Sequence, residues 1–164
     1  MAEAGSTKEE QAKQDAQVAR HLLRDCRTAT LSTVADGQPF GALVTPAVAP
    51  TGEILLLLSD LSEHTRHLRA EPRCNLLVVG TPAEANPQTA PRVSITGTAS
   101  VIGDKALMDR YLAVHPYASL YAGFGDFNLW QFKPSSALFV GGFARASRLG
   151  ANELTITREI NRLQ

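Results

Sequence analysis

The chain opens on a polar stretch in which Ala12, Ala16, Ala19, Leu22, Leu23 and Cys26 recur at helical spacing. Small and apolar residues three and four apart line one face of an α-helix, so the spacing predicts a first helix that buries one stripe. Ser6-Thr7-Lys8-Glu9 reads as its capping box, Ser6 holding the first turn and Glu9 reaching back. Residues 1–6 are expected to be disordered. The period then changes. Residues 28–34 are rich in Thr and Val and lead into Asp36-Gly37, a pair that closes tight hairpins because both positions must take positive φ. Residues 40–48 are the expected return strand, and Pro50-Thr51-Gly52 turns the chain into a third strand over 53–58. From Ile54 to Leu58 every position is apolar. A strand with one wet face alternates, so this one needs two covers, a barrel interior on one side and a helix or second subunit on the other.

The remaining pattern predicts a short helix over 62–70 and strands over 74–79, 92–101, 128–133 and 137–140. Asp104 caps a helix running to about His115. Residues 80–91, with three prolines, form a loop, and residues 116–126 are irregular or a short helix. Gly97 inside a strand marks a bulge or a close backbone approach. Residues 147–164 carry no clear pattern. Because strands do not alternate with long helices, the expected class is α+β: one domain over 1–164, built on an antiparallel split β-barrel of six to seven strands with flanking helices.

Composition narrows the partners. Sixteen basic residues balance sixteen acidic ones, so no global field draws the chain to nucleic acid or anionic lipid. The apolar run at Ile54 is far too short to span a bilayer, and the polar N-terminus has no signal-peptide core. A cytoplasmic location is expected. Cys26 and Cys74 stand alone, with no paired-cysteine motif for zinc or redox chemistry. The four histidines show no metal-ligand spacing, and no nucleophile with a paired base is evident. Any reactivity then belongs to a cofactor that the protein positions.

The segment richest in chemistry runs from Ser59 to Leu68. It leaves the most apolar strand and enters the short helix, whose free N–H groups and dipole suit a phosphate. Ser59, Ser62, His64, Thr65 and Arg66 add hydroxyls, an imidazole and a guanidinium able to grip an anion with two hydrogen bonds. The same pattern also describes a capped surface helix with a polar face. Arg92 either faces solvent or points into a pocket beside that helix. Trp130 and Phe132 share one strand face, as core, dimer interface or ring-stacking wall.

Several motifs in order resemble the pyridoxamine 5'-phosphate oxidase-related FMN-binding split β-barrel superfamily, most closely its heme-utilisation branch. They are Gly37-Gln38-Pro39-Phe40-Gly41, the run from Leu56 to Leu68, Glu71-Pro72-Arg73-Cys74, the run Pro91 to Gly97, Tyr111-Leu112-Ala113-Val114-His115-Pro116, and the run Val140 to Ala146. The resemblance implies a homodimer with two cofactor sites at the subunit interface. It places Ser62, His64 and Arg66 at the FMN phosphate, Arg92 near the cofactor, the flavin ring along Val44 and Thr45, and Trp130 as a contribution from the partner subunit. The oxidases carry lysine where His64 stands. On this reading the protein is an FMN-dependent oxidoreductase acting on a small-molecule substrate. The alternatives are a heme-binding or heme-degrading protein, or a cofactor-less barrel serving as a binding module. The heme branch often uses a histidine in a C-terminal extension; no histidine follows His115 here. If heme binds, His115 is the expected ligand.

Overall fold

The computed structural model describes residues 7–155. Helix α1 (Lys8–Asp25) leads into a hairpin of β1 (Ala29–Ala35) and β2 (Gln38–Val44), followed by the two-residue β3 (Ala47–Val48) and by β4 (Ile54–Ser59). Helix α2 (Glu63–Ala70) precedes β5 (Arg73–Val79) and β6 (Arg92–Val101). Helix α3 (Lys105–Val114) and a 3-10 turn (Pro116–Leu120) come next, then the long β7 (Phe127–Gly142), β8 (Arg145–Gly150) and a short α4 (Ala151–Leu154). The strands form one antiparallel sheet of eight in the order β2-β1-β5-β6-β7-β4-β3, with β8 on β7.

The α+β class and the antiparallel barrel are as expected, and most boundaries differ by a residue or two. Three differences have physical causes. The N-terminal cap sits one residue later than expected: Thr7 accepts from the Glu10 N–H and Glu10 reaches back to the Thr7 N–H. Ser6 lies outside the described residues, as do the rest of 1–6 and the tail beyond 155. The expected return strand divides at Thr45-Pro46, giving β2 and β3. Two expected strands, 128–133 and 137–140, are instead the two halves of β7. Pro134, which has no N–H to give, stands where β4 stops pairing with β7, at Phe132, and before β8 begins, at Ser136. On its other edge β7 stays paired to β6, with a register shift between Thr96 and Gly97 opposite Pro134. The eighth strand, β8, starts two residues before the region without clear pattern and lies mostly within it.

Strand β4 is buried on both faces. Ile54, Leu56 and Leu58 join the barrel interior with Leu31, Leu76, Ile95, Phe132 and Phe139. Leu55 and Leu57 face outward into a second cluster with Tyr111, Ala118 and Leu129. The outer cover is therefore α3 and the 3-10 turn of the same chain, so the apolar run does not itself require a second subunit. The Asp36-Gly37 turn has φ of 50° and 74°, the two positive values a type I′ hairpin needs.

Helix α1 closes one end of the barrel through a charge the apolar stripe does not reveal. Asp15 is wholly buried between Ala12 and Ala19 and accepts from Gln11 (3.0 Å), from Arg145 Nε (2.6 Å) and from the Ser147 hydroxyl. Burial pushes its carboxyl up, but these hydrogen bonds together hold it below its ordinary value.

Two predictions follow from packing. A Cβ on Gly97 would collide with the Lys133 carbonyl oxygen and crowd the Phe132 ring. Gly97→Ala should lower the unfolding free energy by about 3 kcal/mol, read from urea melts, because a backbone atom cannot step aside as a side chain can. Asp15 has a depressed folded-state pKa, so its contribution is complete above about pH 4 and is lost as pH falls through the folded value. The wild-type urea midpoint should therefore drop more steeply below pH 4 than that of Asp15→Asn.

Candidate functional site

Strand β4 ends at Ser59, whose hydroxyl donates to Asp126 Oδ2 (2.5 Å) and accepts from the Leu61 N–H (3.1 Å). The Asp60 N–H donates to the Asp126 carbonyl (2.7 Å). These bonds hold the loop ahead of α2 against the turn that precedes β7. Ser62 is the N-cap residue of α2, yet its side chain makes no capping hydrogen bond. Arg66 folds back over the helix start, donating to the Leu61 carbonyl (3.0 Å) and to Glu63 (2.6 Å). Thr65 is wholly buried, and its hydroxyl has no hydrogen-bond partner among the described residues.

The expected site residues separate into groups. Ser59, Ser62, His64 and Arg66 gather at the N-terminal end of α2, as expected. Val44 and Trp130 lie in the barrel interior, 5% and 2% exposed. The Arg69 guanidinium stacks 5.5 Å from the Trp130 ring centre. Thr45 is committed to α3. The Tyr111 hydroxyl donates to the Thr45 carbonyl (2.9 Å), so the Thr45 hydroxyl donates to the tyrosine oxygen (2.8 Å). Arg92 pairs with Val79 at the far end of β5 from α2, about 20 Å away along the strand. Within one chain it does not stand beside the Ser62–Arg66 segment. Its guanidinium donates to the carbonyls of Gln88 (2.9 Å) and Ala90 (3.1 Å) instead.

The histidines divide just as sharply. His115 is 1% exposed. Its Nε2 donates to the Pro46 carbonyl (2.8 Å), which leaves Nδ1 to accept from the Tyr117 hydroxyl (3.3 Å). With both nitrogens engaged and no open face, His115 is unsuited to the iron-ligand role expected of it. It is a pin that holds the β2–β3 connection against α3. His67 sits between Thr33 Oγ1 (3.0 Å at Nδ1) and Glu63 (3.3 Å at Nε2), with Phe40 edge-on to its ring. It ties α2 to the hairpin. No hydrogen bond reaches the rings of His21 and His64 from the described residues. His64 is half-buried, and burial, then the neighbouring His67, lowers its pKa and favours the neutral imidazole.

Two clefts flank these elements. One of about 540 Å³ opens between the β1–β2 hairpin and α2, with Arg66, His67 and Arg73 on its walls. Arg73 grips Glu71, whose carboxyl is held down to about 2 by that contact. The other, about 380 Å³, lies between α1 and the end of β5 and is lined by Val18, His21, Leu22 and Cys26. Burial pushes the Cys26 thiol up to about 11 and the Cys74 thiol to about 12, so neither is a thiolate at neutral pH. Among the described residues no three His, Cys, Asp or Glu side chains converge as a bound metal ion would require.

The barrel and the placement of α2 after β4 define a class, and comparison with known proteins agrees with it. Residues 16–141 match the family model described as pyridoxamine 5'-phosphate oxidase, and the chain belongs to that family. Its relatives lie in the heme-utilisation branch. The chloroplastic heme oxygenase HOZ of Arabidopsis thaliana is 34% identical over 129 residues, covering 77% of this chain and 39% of HOZ. The heme oxygenase HutZ of Vibrio cholerae is 25% identical over 143 residues, covering 82% of this chain and 81% of HutZ. A heme-binding protein from Mycobacterium smegmatis superposes with a TM-score of 0.78 at 27% identity, over 85% of this chain and 59% of that one. The chain thus spans well under two thirds of the length of HOZ.

Replacing His115 tests its assignment as a pin. His115→Ala removes a fully buried ring and leaves the Pro46 carbonyl without its donor. The cofactor-free protein should lose about 3 kcal/mol of stability in urea. A variant as stable as the wild type would mean that His115 is not structural.

Proposed function

We propose that this chain is a heme-binding protein that supports heme degradation. The observation that carries the reading is the set of relatives across the barrel: two proteins named heme oxygenases and one named heme-binding, at 25–34% identity. The donor set fits such a group, since His21 and His64 keep ring nitrogens that nothing else in the described chain uses. When bound, the heme iron supplies the oxygen chemistry, with electrons from an external reductant. The protein supplies the ligand, the apolar contact surface and the cations.

The FMN reading keeps one supporting observation, the α2 start. The Ser62 hydroxyl is not spent on capping, and Arg66 lies within one turn of it. Two features count against it. Arg66 already pairs with Glu63, and both Val44, expected along the flavin ring, and Trp130, expected from the partner subunit, have their side chains in the core.

A homodimer is part of the proposal. On the outer face of the sheet, register aligns Leu43, Thr30, Leu77, Ser94 and Leu138 in one row, and Leu43 is 77% exposed. Val34 and Val79 extend the apolar surface on the same face. A second copy would cover it, as it would in the family's interface arrangement. Among the described residues no helix is long and apolar enough to cross a membrane. A reducing cytoplasmic setting is proposed from the two free cysteines.

Titration of the purified chain with hemin and, separately, with FMN distinguishes the cofactors. We expect one ferric heme per protomer, no stoichiometric FMN complex, and loss of the heme absorption with release of iron when a reductant and air are supplied. Failure to take up hemin, or saturable FMN binding in its place, would sink this reading.

A further inference from the structure

His115 pins the β2–β3 connection, and the same bonds give it a capacity that pinning does not use. Its Nε2 holds the ring's one N–H proton on the Pro46 carbonyl (2.8 Å), so Nδ1 is a free base, and it faces the Tyr117 hydroxyl at 3.3 Å. Tyr117 is 50% exposed, whereas the imidazole is 1% exposed. A phenol that solutes can reach is thus joined to a base that they cannot. A phenol loses an electron easily only when its proton can leave with it, because the oxidised phenol is a strong acid. The other oxidisable side chains lack this arrangement. The chain has three tyrosines and one tryptophan. The Tyr111 hydroxyl donates to the Thr45 carbonyl, which cannot keep a proton, and the residue is fully buried. The Tyr121 hydroxyl meets no base among the described residues. Trp130 is buried with no acceptor for its indole N–H, and the Arg69 cation stands 5.5 Å from its ring centre, which opposes removal of an electron. Burial keeps Cys26 and Cys74 as thiols.

We propose that Tyr117 is a redox-active tyrosine at which the protein quenches one-electron oxidants, with His115 as its proton acceptor. The oxidant is a radical or an oxidised metal complex arriving from solution, and it takes one electron from the phenol. The hydroxyl proton crosses to His115 Nδ1, so one O–H bond breaks and one N–H bond forms. The products are a neutral phenoxyl radical, an imidazolium and the reduced oxidant. Nε2 keeps its proton on the Pro46 carbonyl, and the new Nδ1–H donates back to the phenoxyl oxygen. The Tyr111 ring, 5.0 Å away centre to centre, lies within range to stabilise the buried cation. An electron from an external reductant, a thiol or an enediol, reverses the step and the proton returns to Tyr117. This activity does not depend on which cofactor the barrel binds.

The test is oxidation of the cofactor-free protein by flash-generated ruthenium(III) tris(bipyridine), with the radical followed by optical absorption and electron paramagnetic resonance. Wild type is compared with Tyr117→Phe, Tyr121→Phe and His115→Gln. We expect a tyrosyl radical in wild type and Tyr121→Phe, and its loss in Tyr117→Phe, which keeps the half-exposed ring. Because the proton acceptor is internal, the wild-type rate should not change with the concentration of buffer base. His115→Gln should be oxidised about a hundredfold more slowly, at a rate that now follows buffer base. Should His115→Gln fail to fold, the buffer dependence of wild type decides alone. A tyrosyl signal that persists in Tyr117→Phe would show that Tyr117 is not the site. A wild-type rate that rises with buffer base would show that His115 is not the acceptor.

Discussion

Strand β4 has no face that tolerates water, and the two covers it needs divide the molecule into its working parts. Ile54, Leu56 and Leu58 draw the sheet into a barrel, while Leu55 and Leu57 draw α3 and the 3-10 turn onto the outside. Each buried leucine contributes on the order of 2 kcal/mol, so neither cover is optional. The end of β4 is fixed from both sides, and with it the loop that launches α2. Ser59 and Asp60 then bond to Asp126, so the helix start and the turn before β7 keep one geometry. The candidate site inherits its rigidity from this apolar run.

The outer cover also settles the role of His115. Helix α3 cannot lie on Leu55 and Leu57 unless the connection between β2 and β3 lets it, and that connection is held by Tyr111 on Thr45 and by His115 on Pro46. A polar pair of this kind, buried and satisfied, specifies one docking position for an otherwise greasy helix face. The imidazole is therefore structural, with both ring nitrogens spent on holding that connection.

Much of the fold was legible because it was written in period and turn chemistry. Asp36-Gly37 marked its hairpin, Gly97 its bulge and Asp104 its helix cap, each through a local backbone demand. Features that depend on distant chain were not legible. Asp15 sits in a run of Lys, Glu and Gln that reads as solvated, and only Arg145 and Ser147 make it a core residue. Pro134 looked like a strand end because a proline breaks one edge of pairing, while the other edge continues past it. At the site, sequence proximity placed Ser59, Ser62, His64 and Arg66 on one segment. It left open which way side chains face: Trp130, readable as core, interface or ring wall, turns inward with Val44, and Arg92 lies at the far end of its strand from α2.

The latch between α1 and β8 has a consequence for how the protein is made. Arg145 reaches Asp15 across 130 positions of chain. During synthesis the N-terminal helix emerges first, with a carboxylate on the face it must bury and no partner yet in existence for it. Leaving that charge unpaired inside the barrel would cost several kcal/mol. The helix therefore stays undocked while the β-sheet is being translated, and the barrel end remains open until residues 145–147 have left the ribosome. Arrival of β8, rather than formation of the early strands, sets the moment at which this end of the barrel closes.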